Sequence, residues 1–246
     1  MPTLPIEIRG PAGTIDCFHY HPEGSGPWPG VLMLPDIMGP RPAFATLAER
    51  LAGEGYSVLV PNQFYRLGKA PVPDLNAPPG TPDTRKMMRD LLATLGPREM
   101  RSDGRLLCEA LLNLTATARG PIAVVGYCMS GQYAIYAAEQ CDIVAAVASF
   151  HGGFLIRDDE DSPHRVAAKL KARLYFAHAD QDPSIPFDRL DELRANLEAG
   201  GVEFVSEVYE GAGHGFAVPG HRAYTERDSE RHFKALLSLL SDMGRH

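Results

Sequence analysis

Apolar residues recur along this chain with two different periods. "TIDCFHYHP" alternates apolar and polar positions as a half-exposed strand does. "GVLMLP", "YSVLVP", "PIAVVG", "IVAAVASFHG", "ARLYFAHAD" and "VEFVSEVYEGAGHGF" are short runs bounded by Gly, Pro or Asp, the form taken by strands buried on both faces. Between them the period becomes helical, over Ala43–Gly53, Thr84–Leu95, Arg98–Leu114, Gly131–Gln140, Phe187–Ala199 and Ala223–Met243. Strand and helix in regular turn predict an α/β fold, a mainly parallel sheet with helices on both faces. Right-handed crossovers bring the C-terminal ends of the parallel strands to one edge, where such sheets place their sites. Leu67–Pro82, "LGKAPVPDLNAPPGTP", breaks the rhythm; its density of Pro and Gly predicts a surface loop overhanging that edge. The loop is too short to separate domains, so a single domain over residues 1–246 is expected.

Composition narrows the function classes. With 44% hydrophobic and 22% charged residues the chain has the make-up of a soluble globular protein with a full core. Its net charge of −7 is not gathered into blocks, and without a basic stripe no nucleic-acid partner is expected. No apolar run reaches the roughly 18 residues of a membrane span. The start, "MPTLPIEIRG", has neither the basic nor the apolar region of a signal peptide. The four cysteines, Cys17, Cys108, Cys128 and Cys141, show no C-x-x-C spacing, which argues against a zinc ribbon or a redox dithiol. Reduced thiols and a cytoplasmic location are the expectation, for a monomer or small homo-oligomer.

One stretch carries chemistry. In "IAVVGYCMSGQYAIYAAEQ" a buried strand ends, Cys128 follows, and a helical pattern begins. Gly126, Ser130 and Gly131 crowd the turn with small residues. This is the pattern of a nucleophile elbow, Gly-x-Nu-x-Gly, with Ser130 in place of the second glycine. A cysteine nucleophile needs a base to take its proton and an acid to orient the base. In this fold class the order along the chain is nucleophile, acid, histidine. "ARLYFAHAD" runs into "QDPSIP", so Asp180 and Asp182 both follow a strand; Asp182 is preferred because Pro186 can occupy the first turn of the next helix and fix the loop. His214 stands between Gly213 and Gly215 directly after the last strand, the one histidine of nine so placed.

These segments, "GYCMSG", "DQDPSIP" and "GAGHGF", together with "LPDIMG" at residues 34–39, resemble those of the dienelactone hydrolases (carboxymethylenebutenolidases), over nearly the whole chain. The resemblance implies an α/β-hydrolase fold, no cofactor and no metal, and a small ester or lactone as substrate. It implies a triad of Cys128, Asp182 and His214 passing through an acyl-cysteine intermediate. It places Asp36 beside the nucleophile as the acid that holds the thiol proton at rest, where the family often has Glu. The elbow architecture makes the backbone N–H groups of Ile37 and Met129 the oxyanion donors. Family members acting on dienelactone hold its carboxylate with arginines. Arg85 falls on one such position; the other falls on Val218, with Arg222 four residues later. Phe64, Tyr65, Tyr127 and Phe216 flank the motifs as core or pocket wall, and Tyr127 joins Arg85 as a candidate substrate contact.

Other groupings carry less. His19 with His21, and His178 with Asp180 and Asp182, have metal-ligand residue types but read more simply as an exposed strand face and turn residues. His151 in "SFHGG" ends a strand at the same edge, as pocket lining rather than catalyst. A general carboxylesterase or thioesterase stays open, as does a non-catalytic protein that binds a ligand or senses oxidants through Cys128.

Overall fold

The strands are β1 (Thr3–Gly10), β2 (Gly13–Tyr20), β3 (Trp28–Leu34), β4 (Ser57–Pro61), β5 (Thr117–Tyr127), β6 (Val144–Phe150), β7 (Arg173–Gln181) and β8 (Phe204–Gly213). The helices are α1 (Pro42–Gly53), α2 (Pro82–Ala93), α3 (Pro97–Asn113), α4 (Ser130–Glu139), α5 (Pro163–Ala167), α6 (Phe187–Gly200) and α7 (Glu226–Ser241). The computed structural model describes residues 3–78, 80–182, 185 and 187–243; Pro186, expected in the first turn of α6, lies outside them.

All eight strands form one sheet in the order β1-β2-β4-β3-β5-β6-β7-β8. β1 pairs antiparallel with β2, and β2 antiparallel with β4; every other pair is parallel. The parallel part is the alternating strand–helix pattern read from the sequence. β1 is an addition: "TLPIEIRG" pairs along its full length with β2 at the sheet's edge, where Pro5 is tolerated. The short α5 is a second addition.

The two-residue period of the strands divides the core. On β5, Ile122 and Val124 pack with α3 and α4, against residues such as Leu107, Leu111, Tyr133 and Ala137. Ala123, Val125 and Tyr127 point to the other face, with Phe44, Leu47 and Leu51 of α1 and Leu236 and Leu240 of α7. Successive side chains therefore leave the end of β5 on opposite faces. That alternation decides which of them can reach the edge.

Several helix starts are specified by local chemistry. Pro42, Pro82 and Pro97 open α1, α2 and α3, where the missing N–H costs nothing. Thr81 and Thr225 cap α2 and α7 by accepting from the amides of Thr84 and Asp228. The Pro-rich segment after β4 is irregular as expected. Asp16 and Asn62 tie it down, accepting from Ala70 N at 2.8 Å and donating to Gly68 O at 2.9 Å. Its Pro71 and Leu75 roof a cavity of about 440 Å³, floored by Phe18, Tyr20, Phe44 and Val60.

Candidate active site

Between Tyr127, the end of β5, and Ser130, the start of α4, the chain turns in two residues. Cys128 makes the turn with φ of +56°, the left-handed region that costs a side-chain-bearing residue about 1–3 kcal/mol. Its amide donates to Phe150 O at 3.1 Å, and its carbonyl accepts from Gly131 N and Gly153 N, both at 3.0 Å. A Cβ on Gly126 would fall 1.9 Å from the Ser130 carbonyl oxygen, so only glycine allows the helix to approach the strand this closely. The thiol is left half-buried and protruding. Ser130 points inward instead: its Oγ donates to Pro35 O at 2.5 Å.

Two later strands deliver the partners. Asp182 follows β7 and His214 follows β8, neighbours in the sheet. Asp182 Oδ2 lies 2.5 Å from His214 Nδ1, and His214 Nε2 lies 3.0 Å from Cys128 Sγ. An ionised carboxylate only accepts, so Nδ1 carries a proton and Nε2 faces the sulfur. Burial opposes charge on the His214 ring, but its hydrogen bonds with Asp182 and with Cys128 outweigh burial and bring its pKa up to about 10. Asp180, the alternative acid, is used elsewhere: its Oδ2 accepts from Gly211 N at 2.9 Å, across the irregularity where β7 and β8 slip register.

Ile37 and Met129 stand on the two loops flanking the thiol, and among the described residues neither backbone N–H has an acceptor within the protein. The Ile37 loop is fixed from below. Gln63 Nε2 donates to Pro35 O at 3.0 Å and to Asp36 O at 2.9 Å, and Ser130 Oγ holds the same Pro35 carbonyl.

Asp36 is placed differently from expectation. Both its oxygens are taken by Arg41, Nη1 to Oδ1 at 2.6 Å and Nη2 to Oδ2 at 2.8 Å, and Oδ1 also accepts from Met38 N at 2.9 Å. The thiol is hydrogen-bonded to His214 and the carboxylate to Arg41, and among the described residues no hydrogen bond joins the two. The two candidate substrate contacts are also not brought to the thiol. Arg85 lies exposed on α2 with Nη1 donating to Gly80 O at 2.5 Å, closing the end of the Pro-rich loop. Tyr127 is fully buried on the α1/α7 face, its hydroxyl 2.9 Å from His232 Nε2. Val218 belongs to the core and Arg222 is exposed.

The two candidate metal groupings separate into ordinary contacts. His19 Nε2 meets Ser57 Oγ at 2.8 Å and His178 Nε2 meets Ser206 Oγ at 3.1 Å. No trio of His, Cys, Asp or Glu among the described residues is arranged to hold a metal. No helix among them is long and apolar enough to cross a membrane.

Three residues join the site that sequence reading did not place there, Arg41, Gln63 and His221, while His151, expected as pocket lining, is a close neighbour of the base. His151 is fully buried in a left-handed conformation, φ +41°, with its ring 5.2 Å from that of His214 in an edge contact. His221 packs against Gly215, where a Cβ would meet its ring at 2.3 Å. Burial lowers the His221 pKa, the Asp36 carboxylate opposing and the His214 charge reinforcing that shift. Arg41 had a visible signal, five residues after Asp36 at the start of a helix. Gln63, in "VPNQFY", had only the position after β4.

Known proteins share this plan. The dienelactone hydrolase family model matches residues 15–244. A Methylorubrum extorquens protein named putative carboxymethylenebutenolidase is 26% identical over 247 residues, 97% of this chain and 80% of the relative. A Bradyrhizobium protein named probable 2-oxo-3-(5-oxofuran-2-ylidene)propanoate lactonase is 26% identical over 209 residues, 82% of this chain and 79% of the relative. A solved Klebsiella pneumoniae structure titled putative dienelactone hydrolase superposes with a TM-score of 0.85 at 20% identity, covering 98% of this chain and 99% of that one. At that identity the superposition shows the fold, and its agreement with acylaminoacyl peptidase and esterase structures makes that fold the α/β-hydrolase one. With the family model spanning residues 15–244 of the 246, the chain belongs to the dienelactone hydrolase family of hydrolases.

Proposed function

We propose that the protein hydrolyses a lactone or short carboxylic ester through Cys128, His214 and Asp182, by way of an acyl-cysteine, working as one domain over residues 1–246. The observation that carries this reading is the unbroken chain of contacts from Asp182 Oδ2 to His214 to Cys128 Sγ, at 2.5 and 3.0 Å. Its high proton affinity suits His214 to hold the Cys128 proton as an imidazolium, which leaves the sulfur to attack the carbonyl carbon as a thiolate. Negative charge then develops on the carbonyl oxygen, where the N–H groups of Ile37 and Met129 can donate. Collapse of the tetrahedral species breaks the ester C–O bond, and the His214 imidazolium protonates the departing alkoxide; from a lactone the alcohol stays attached to the acyl group. A water molecule, deprotonated by His214, attacks the thioester and returns the cysteine. Asp182 holds the ring in its working tautomer throughout. The lactone half of the reading is supported by the lactonase and butenolidase names of the relatives.

The test is mass spectrometry of the protein mixed with p-nitrophenyl acetate and quenched in acid. An acetyl group on the peptide containing Cys128, with turnover abolished by prior alkylation of that thiol, is the expected result. Acetylation of Ser130 or continued turnover after alkylation would sink the assignment. Binding of esters without any turnover would favour the ligand-binding reading.

A further inference from the structure

Two thiols far apart in the sequence meet in the fold, away from the site just described. Cys108 lies on the inner face of α3, fully buried. Cys141 follows the C-terminal end of α4, half-buried, with its Sγ 3.9 Å from the Arg105 carbonyl oxygen, one turn before Cys108 on the same helix. Both side chains pack into the same core cluster where α3 meets α4, and each thiol is the largest influence on the other's proton affinity. The absence of a C-x-x-C motif is no obstacle, because helix packing supplies the proximity that sequence spacing does not.

The surroundings divide the labour between the two sulfurs. Cys141 lines a surface recess of about 110 Å³ together with Glu139, Asp142, Lys169 and Lys171, so a small polar oxidant can reach it. Cys108 has no such access. The neighbouring Cys108 thiol favours the Cys141 thiolate and lowers its pKa, whereas the Cys141 sulfur and burial hold the Cys108 thiol protonated. A half-buried but reachable sulfur of raised thiolate character beside a protected partner is the arrangement of an attacking and a resolving cysteine.

We propose that Cys108 and Cys141 are a peroxide-reactive dithiol that closes to a disulfide between α3 and α4. The Cys141 thiolate attacks one oxygen of hydrogen peroxide; the O–O bond breaks, and the departing hydroxide takes up a proton to leave as water. Cys141 is then a sulfenic acid, its sulfur oxidised by two electrons and the peroxide reduced by two. The Cys108 sulfur attacks the Cys141 sulfur, the S–O bond breaks, and hydroxide leaves with the Cys108 proton as a second water. The sum is two thiols and one peroxide giving one disulfide and two waters. The cross-link ties α3 to the far end of the helix that carries Cys128 at its start. This inference is independent of the ester-hydrolysis reading.

The test treats the full chain with a small excess of hydrogen peroxide, quenches with iodoacetamide in denaturant and maps the peptides of all four cysteines. The expected product is a Cys108–Cys141 linked peptide two hydrogen masses lighter than the sum of its reduced parts. In Cys108→Ser, dimedone should trap several-fold more sulfenic acid at Cys141 than in the wild type. Full alkylation of both cysteines after peroxide, Cys141 oxidised to the sulfinic acid with Cys108 still alkylated, or equal dimedone trapping in both proteins would each overturn the proposal. Peptide mapping of the wild type decides the matter even if the serine variant does not fold.

Discussion

Arg41 grips Asp36 with both terminal nitrogens, at 2.6 and 2.8 Å, in a pair whose side chains are 14% and 8% exposed. A bidentate guanidinium neutralises the carboxylate and fixes its direction. An acid beside a nucleophilic thiol suppresses the thiolate only while its charge is unbalanced. Removing the acid alone frees the long Arg41 side chain to turn its charge to solvent, so little should change at the sulfur. Removing the arginine should matter more, because a free carboxylate is then left near the thiol. Iodoacetamide labelling of Cys128 near neutral pH is expected to run within about twofold of wild type in Asp36→Ala, several-fold slower in Arg41→Ala, and near wild type again in the double variant. Several-fold faster labelling in Asp36→Ala would show that the acid guards the thiol in spite of Arg41.

The two candidate acids after β7 should separate cleanly. Asp182→Asn removes the carboxylate from His214, and a loss of ester turnover approaching that of His214→Ala, about two to four decades, is expected. Asp180→Asn loosens only the Gly211 amide and should cost less than tenfold. Stability supplies a second reading of the same contact. Because the folded-state pKa of His214 lies above the ordinary 6.5, the stability it contributes is fully present below about pH 6.5 and is lost as pH rises through about 10. The gap in urea midpoint between wild type and Asp182→Asn should be widest near pH ~6 and narrow toward pH ~10.5. Equal turnover losses from the two aspartate changes, or a gap that widens with pH, would show that the carboxylate on His214 has been misidentified.

The parts of this molecule legible in the sequence are those set by local rules. Strands β2 to β8 announce themselves by period and by bounding Gly and Pro, and the elbow by small residues whose need is visible as the 1.9 Å approach at Gly126. Cys128, Asp182 and His214 follow strand ends in a fixed order, so their meeting at one edge follows from topology alone. The contacts that sequence reading placed elsewhere depend on side-chain direction. Tyr127 adjoins the nucleophile along the chain, yet the two-residue strand period turns it through the sheet to His232. Asp36 stands in the loop after β3, and its partner is Arg41, one helix start away. β1 was hidden because its alternating Leu4, Ile6 and Ile8 are only partly covered and the strand forms by pairing with β2.

Six histidines are held in environments that reject a proton. Burial pushes His19, His178 and His232 down from 6.5 to about 4, His151 well below 6.5, and His164 and His221 down as well. With folded-state values below the ordinary one, these groups are neutral in both states above about pH 6.5 and contribute nothing there. Below it the unfolded chain binds protons that the folded one refuses, so stability must fall as pH drops from about 6.5 to 4. Urea midpoints should decline over that window with a slope of up to six protons. His232→Asn should flatten the slope by about one proton while lowering stability at neutral pH through the lost Tyr127 contact. A midpoint that stays level from about pH 6.5 to 4.5 would contradict the account of these rings.

Gln63 offers the most selective test of the oxyanion arrangement, because it touches the loop and not the thiol. Its Nε2 donates to the carbonyls of Pro35 and Asp36, the two residues before Ile37, and it is 2% exposed. With those tethers cut, Ser130 Oγ still holds Pro35, so the loop keeps its path but loses the restraint on the peptide that precedes Ile37. A donor aimed at the developing oxyanion acts mainly in the transition state. Complete loss of such a donor costs about two to three decades in kcat, and a donor merely left free to wander should cost about one to two. Gln63→Ala is therefore expected to lower kcat for p-nitrophenyl acetate by about one to two decades, with KM and the alkylation rate of Cys128 within about threefold of wild type. Gln63→Glu, which can still fill the space but presents acceptors to two carbonyls, should not rescue the rate. A fall in alkylation rate matching the fall in kcat would mean that Gln63 supports the nucleophile and not the Ile37 N–H. Unchanged kcat would remove this loop from the mechanism altogether.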